Sequence, residues 1–175
     1  MKKIQFAGMV MLLVFSACAP KDKKSMITGK WQAISLENPQ LVKLMEEQSA
    51  FLDTFGKNTT TEQNLEIYGF TNIDSARVVL KKEMLEYMAM QDHAVKNTWF
   101  EFRKDGMVVM NFSGQVDSTK WQINEEGVLV LEEATTEGKG EAIKMEILSL
   151  TDTLLKLQMN DKGMSSTVIF KPANK

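Results

Sequence analysis

From Thr98 onward the chain alternates apolar and polar residues in short runs separated by tight polar turns, and that period of two confines it to antiparallel sheet. Thr98 to Arg103 alternates around Phe100 and Phe102, and Lys104-Asp105-Gly106 supplies a hairpin turn in which glycine permits a positive φ. Met107 to Phe112 returns, and Ser113-Gly114 turns again. Val116 to Ile123 carries Trp121 and Ile123 on one face, and Asn124-Glu125-Glu126-Gly127 leads into Val128 to Leu131. After a charged loop through Gly138 and Gly140, Ile143, Met145 and Ile147 alternate with Lys144 and Glu146. The last pair is Leu154 to Met159, with Leu155, Leu157 and Met159 on one face, and Ser165 to Lys171, joined by Asn160-Asp161-Lys162-Gly163. Earlier in the chain, Trp31 to Leu36 reads as a strand stopped by Asn38-Pro39, because proline removes a ladder donor. One strand before position 38 and seven after 95 make eight. Eight antiparallel strands joined by tight turns predict a mainly β protein, an eight-stranded antiparallel up-and-down barrel, since closure removes the exposed edges of an open sheet.

A different period interrupts the sheet after its first strand, at about 38–95. Leu41, Leu44, Met45, Gln48, Leu52 and Phe55 recur at three and four, which places them on one face of a helix ending near Gly56. Lys57 to Gln63 is a polar loop or cap, and Leu65 to Phe70 divides between a short strand and a turn of helix. Asp74 or Ser75 caps a second helix running to about His93, with Val79, Leu80, Met84, Tyr87, Met88 and Gln91 along one side. An amphipathic helix must place its apolar stripe on the barrel mouth, the barrel wall, the other helix, a partner or a membrane interface. Packing on its own domain is the simplest of these, and Leu41, Met45, Leu52, Phe55, Met84 and Met88 are the candidate lid or interaction residues. Met84 and Met88 lie one turn apart and read as adaptable packing rather than as a metal site, since no further donors converge on them. His93, at the helix end, reads as a solvent-facing capping residue.

The first residues stand apart from this pattern. Met1-Lys2-Lys3 is positive and Ile4 to Phe15 is almost wholly apolar, a run too short to span a bilayer comfortably but of the kind found in export leaders. Val14-Phe15-Ser16-Ala17-Cys18 then sets small residues before a cysteine, and resembles the cleavage box of bacterial lipoprotein precursors, with Phe15 where leucine is commonest. The resemblance implies removal of residues 1–17 and lipidation of Cys18, and acyl chains contribute roughly 0.8 kcal/mol per buried methylene to membrane attachment. Residues 18–25, with Pro20 and Lys21-Asp22-Lys23-Lys24, read as a polar tether, and 26–175 as one folded domain. The chain carries 21 basic and 23 acidic side chains, or −2, and loss of Lys2 and Lys3 leaves 19 against 23, or −4. That balance excludes a nucleic-acid partner. The single cysteine excludes an intramolecular disulfide and a cysteine-based metal cluster. The stretch behind Cys18 is basic rather than acidic, which favours a cell-envelope protein facing the periplasm at the outer membrane.

Gly29-Lys30-Trp31 after a short polar lead resembles the glycine-any-tryptophan signature at the first strand of lipocalins. Trp99-Phe100-Glu101-Phe102-Arg103-Lys104-Asp105-Gly106 followed by Trp121-Gln122-Ile123 resembles the small lipocalin-like lipoproteins of Bacteroidota. The likeness extends over roughly Met26 to Lys171. It implies a calyx in which Gly29 and Trp31 mark the closed base and the other end opens to a ligand. Two departures stand out. The basic residue nearest the final strand is Lys171, which lacks the planar group that an arginine would stack on the signature tryptophan. The first connection has also grown to some sixty residues.

The chain shows no His-Glu-x-x-His pattern, no nucleophile elbow, no phosphate-cradling glycine loop and no Cys-His arrangement, so a non-enzymatic protein without metal or cofactor is expected. Asp105, Asp117, Glu132 and Glu133 are the carboxylates a barrel could in principle pair for acid and base chemistry, but Asp105 reads as a hairpin-turn residue and Glu132-Glu133 as part of a solvated loop. Two functions remain. One is a membrane-anchored calyx binding a small apolar or amphipathic ligand, with Phe100, Phe102, Met110, Phe112, Ile143, Met145, Leu155 and Leu157 as lining or core. The other is an envelope scaffold with a filled barrel whose helical insertion contacts a protein partner. A less favoured third is an inhibitor of a periplasmic enzyme.

Overall fold

In the computed structural model the described residues are 22–132, 142–161 and 163–173, so Cys18, Glu133, Gly138 and Gly140 lie outside them. The alternating runs form β1 (Gly29–Glu37), β2 (Trp99–Phe102), β3 (Met107–Phe112), β4 (Gln115–Ile123), β5 (Leu129–Leu131), β6 (Ile143–Leu150), β7 (Leu155–Asp161) and β8 (Met164–Pro172). Each pairs antiparallel with the next, and β8 returns to β1, so the sheet closes as an eight-stranded barrel. Side chains of one parity turn inward: Trp31 and Ala33 from β1, Phe100 and Phe102 from β2, Val108 and Met110 from β3, Leu155 and Leu157 from β7, all buried. Two bulges reset that parity. In β1 the register shifts between Ala33 and Ser35, bringing Leu36 opposite Val168. In β6 it shifts between Ile147 and Ser149, so Leu150 meets Leu155 while Leu148 stays exposed.

The two ends of the barrel differ. At the end where β1 begins, α1 (Lys23–Ile27) runs from β1 to touch β4 and β6 across the barrel. Ile27 there is wholly buried, and Trp31 Nε1 donates to the Ile27 carbonyl at 2.7 Å, so α1 is fastened over the barrel floor. The polar stretch read as a tether therefore becomes helix at Lys23. At the other end, β1 passes the chain to the insertion and the insertion returns it to β2.

The insertion holds three helices rather than two. α2 (Pro39–Thr54) starts with proline in its first turn and Asn38 Oδ1 accepting from Leu41 N at 2.8 Å. α3 (Thr61–Tyr68) occupies the stretch that had divided between loop, strand and turn. Thr60 and Gln63 form a reciprocal capping box, and Gly69 closes it in the left-handed region at φ 76°. α4 (Ile73–Lys96) is capped by Asn72, not by Asp74 or Ser75, through Oδ1 accepting from Ser75 N at 3.0 Å. These helices build a second core of Leu52, Phe55, Ile73 and Ala76, joined by Tyr68, Leu80 and Met84 and separate from the barrel core. Arg77 fixes its corner by donating from Nε and Nη2 to the Phe55 carbonyl at 3.1 and 2.5 Å. Gly56 beside it has φ 68°, and a Cβ there would stand 2.8 Å from Ile73.

Candidate binding cleft

Of the eight residues read as calyx lining or core, six pack into the barrel core. Phe100 lies 6.0 Å from Phe102 and 5.1 Å from Phe170, and Phe102 meets Trp121 edge-on at 5.2 Å, all ring centroid distances. Phe100, Phe102, Met110, Met145, Leu155 and Leu157 are each no more than 7% exposed and belong to the same cluster as Trp31. Aromatic pairs at these spacings are close-packed core contacts. Phe112 and Ile143 are not core, with 47% and 37% exposure. Both keep inward parity, but each stands at a strand terminus, Ile143 opening β6 and Phe112 closing β3, where its ring meets Phe100 in an edge arrangement at 5.3 Å. Gly29 opens β1 at φ 131°, and Lys171 is exposed rather than stacked on Trp31.

A cleft lies where the insertion leaves the barrel. It holds about 560 Å³ and is walled by Leu41, Met45 and Ser49 of α2, Met84, Met88 and Val95 of α4, and Ser35 and Leu36 of β1. The chain forms it for a simple reason. α2 is attached at its start, through Asn38 Nδ2 donating to Ser166 Oγ at 2.9 Å, and α4 at its end, through Gln32 Nε2 donating to the Lys96 and Thr98 carbonyls at 2.6 and 2.8 Å. The far ends of the two helices meet in the second core, so their middle turns span open space between two packed regions. A second hollow of about 550 Å³ continues toward that core, sharing Leu41, Met45, Met84 and Tyr87 and adding Leu44, Phe51, Leu52 and Leu80.

Of the insertion residues singled out from the sequence, Leu41, Met45, Met84 and Met88 come together on the cleft, while Leu52 and Phe55 belong to the second core. Val95, Leu36 and Glu46 were missed. The spacing Met84, Met88, Gln91, Val95 carries the α4 stripe one turn past Gln91, and that signal was present in the sequence. Polar groups sit at the margin: Gln91 Nε2 donates to Tyr87 Oη at 2.5 Å, and Asp92 pairs with Lys96 at 2.6 Å. Of the candidate carboxylates, Asp105 accepts from Met107 N at 3.0 Å within its turn, Asp117 accepts from Ser118 N at 2.6 Å, and Glu132 lies 3.8 Å from Lys120. His93 is exposed and contacts Asn97 within its own helix. Among the described residues no group of three His, Cys, Asp or Glu side chains is placed to hold a metal ion.

No family model matches the chain, and no curated protein matches it. Among solved structures, the chain is similar to the crystal structure of a DUF4847 family protein from Bacteroides vulgatus, at 10% sequence identity and a TM-score of 0.40, over 87% of this chain and 98% of that one. The barrel assignment stands on the strand pairing of this chain itself.

Proposed function

We propose that this protein is a non-enzymatic, lipid-anchored envelope protein. Its lipocalin-like barrel is a packed scaffold, and the cleft between α2, α4 and β1 binds a small apolar or amphipathic molecule. The observation that carries this reading is the cleft itself. Its volume of about 560 Å³ falls in the ordinary range of small-molecule sites, roughly 300–1,000 Å³, and apolar side chains from three elements line it. Three methionines, Met45, Met84 and Met88, give it walls that adapt to ligand shape. Anchoring is through Cys18, on the resemblance of its leader to lipoprotein precursors, with the domain facing the periplasm at the outer membrane.

Native mass spectrometry of the chain from residue 19 onward, purified from its own bacterium and followed by organic extraction, tests the ligand reading. A stoichiometric small molecule that is lost in Met45→Glu and retained in Met145→Leu is expected. An empty protein that also fails to take up a solvatochromic apolar dye overturns the reading. Cys18→Ser is expected to move the protein from the membrane to the soluble fraction.

A second reading is favoured by the outer faces of the insertion, where Leu65, Ile67, Val78 and Leu85 are more than half exposed. Such a surface suits contact with another envelope protein, and the two readings coexist, since the faces are distinct from the cleft.

A further inference from the structure

The cleft has a length and a charge. Its α4 wall runs from Met84 to Val95, eleven residue steps that rise about 16 Å. One acyl chain spans about half the 30 Å hydrocarbon core of a bilayer, roughly 15 Å. The charged residues that line the two hollows are all acids: Glu46 and Asp92 in the first, Glu83 in the second. Lys96 neutralises Asp92 at 2.6 Å, whereas Glu46 and Glu83 have no ion-pair partner among the described residues. The other lysines of these helices are turned to different acids, Lys43 to Glu47, Lys81 to Asp53 and Lys82 to Glu86. Tyr87, which lines both hollows, adds a ring face that attracts cations.

From this arrangement we infer that the cleft takes a single-chain amphiphile with a positively charged headgroup, the chain lying along α4 and the head at Glu46, Glu83 and Tyr87, and that it rejects fatty-acid anions. The inference rests on the ligand reading of the cleft. It is tested with three probes of equal chain length, dodecylammonium, dodecanol and dodecanoate, titrated below their micelle concentrations into the chain from residue 19 onward, which contains every described element. The expected order is ammonium, then alcohol, then carboxylate. Each carboxylate about 4 Å from a unit charge in water changes affinity on the order of fivefold. That gap is expected to shrink in about 1 M salt, where the screening length is about 3 Å. Glu46→Gln with Glu83→Gln is expected to bring the two charged probes together while leaving dodecanol unchanged. Equal binding of ammonium and carboxylate, or a gap that survives the double substitution, overturns the headgroup assignment and leaves the ligand reading standing. Failure of all three probes to bind overturns this inference, and the ligand reading falls with it where the apolar dye is not taken up either.

Discussion

Phe102 and Phe112 have the same inward parity on neighbouring strands, and they show how far alternation reaches. Phe102 is 1% exposed and packed against Trp121 and Phe100, whereas Phe112 is 47% exposed at the rim. Alternation fixes the face a side chain takes but not its depth along the barrel axis, and depth depends on where the hairpin turns. Ser113-Gly114 follows Phe112 directly, so this phenylalanine has no further layer above it. In a packed barrel Phe102→Ala costs about 3–5 kcal/mol, the range for a large aromatic removed from a core. Phe112→Ala is expected to cost about 1 kcal/mol, as it loses part of one edge contact. Urea unfolding of the two variants measures the difference. Equal and small losses would mean an open calyx, in which both rings face a ligand space.

At the level of elements, the strands were legible and the helices only partly so. Strand boundaries follow from a strict period and from Gly and Asn turns, whereas α3 buries little of its own apolar surface: Leu65 and Ile67 are 54% and 60% exposed. Its apolar residues therefore carry no stripe to read, although the Thr60 and Gln63 capping box and Gly69 mark both ends. The cleft was half legible for a related reason, because the α2 and α4 stripes were clear but their partners across space were not. Joining these two helices is an ion pair between Lys81 and Asp53. The Lys81 ammonium, by its hydrogen bond and then by its charge, holds the Asp53 carboxyl below the usual aspartate range. A carboxyl with a depressed folded pKa contributes stability that is fully present above its unfolded value and is lost as pH falls through the folded one. Amide exchange in the last turn of α2 is accordingly expected to speed up relative to the barrel as pH drops below the ordinary aspartate pKa. Asp53→Asn is expected to exchange faster at neutral pH and to lose that dependence. A pH response unchanged in Asp53→Asn would assign the coupling elsewhere.

For the whole molecule, the decisive fact is that the chain builds two cores and suspends a cleft between them. The barrel core is ringed by a closed hydrogen-bonded ladder and floored by α1, while the insertion core consists of four buried residues and three partly buried neighbours. Closure leaves the barrel no fraying edge, but the middle turns of α4, from Leu85 to Met90, are exposed on every side. Opening of the insertion therefore requires little apolar surface to be lost, and it is expected to behave as a separate cooperative unit of lower stability. The same layout places α1 at one end of β1 and the cleft at the other, where Ser35 and Leu36 line it. Hydrogen exchange followed by mass spectrometry is expected to show α2 and α4 exchanging well before β1, β7 and β8. Saturation with a cleft ligand is expected to slow α2 and the Met84–Val95 part of α4 by the binding free energy. Because that energy acts only on states in which the cleft is formed, strand amides that exchange by global unfolding gain the same increment, whereas those that open locally within the barrel gain nothing. Protection confined to strand amides, with α2 and α4 unchanged, would move the ligand into the barrel and restore the calyx.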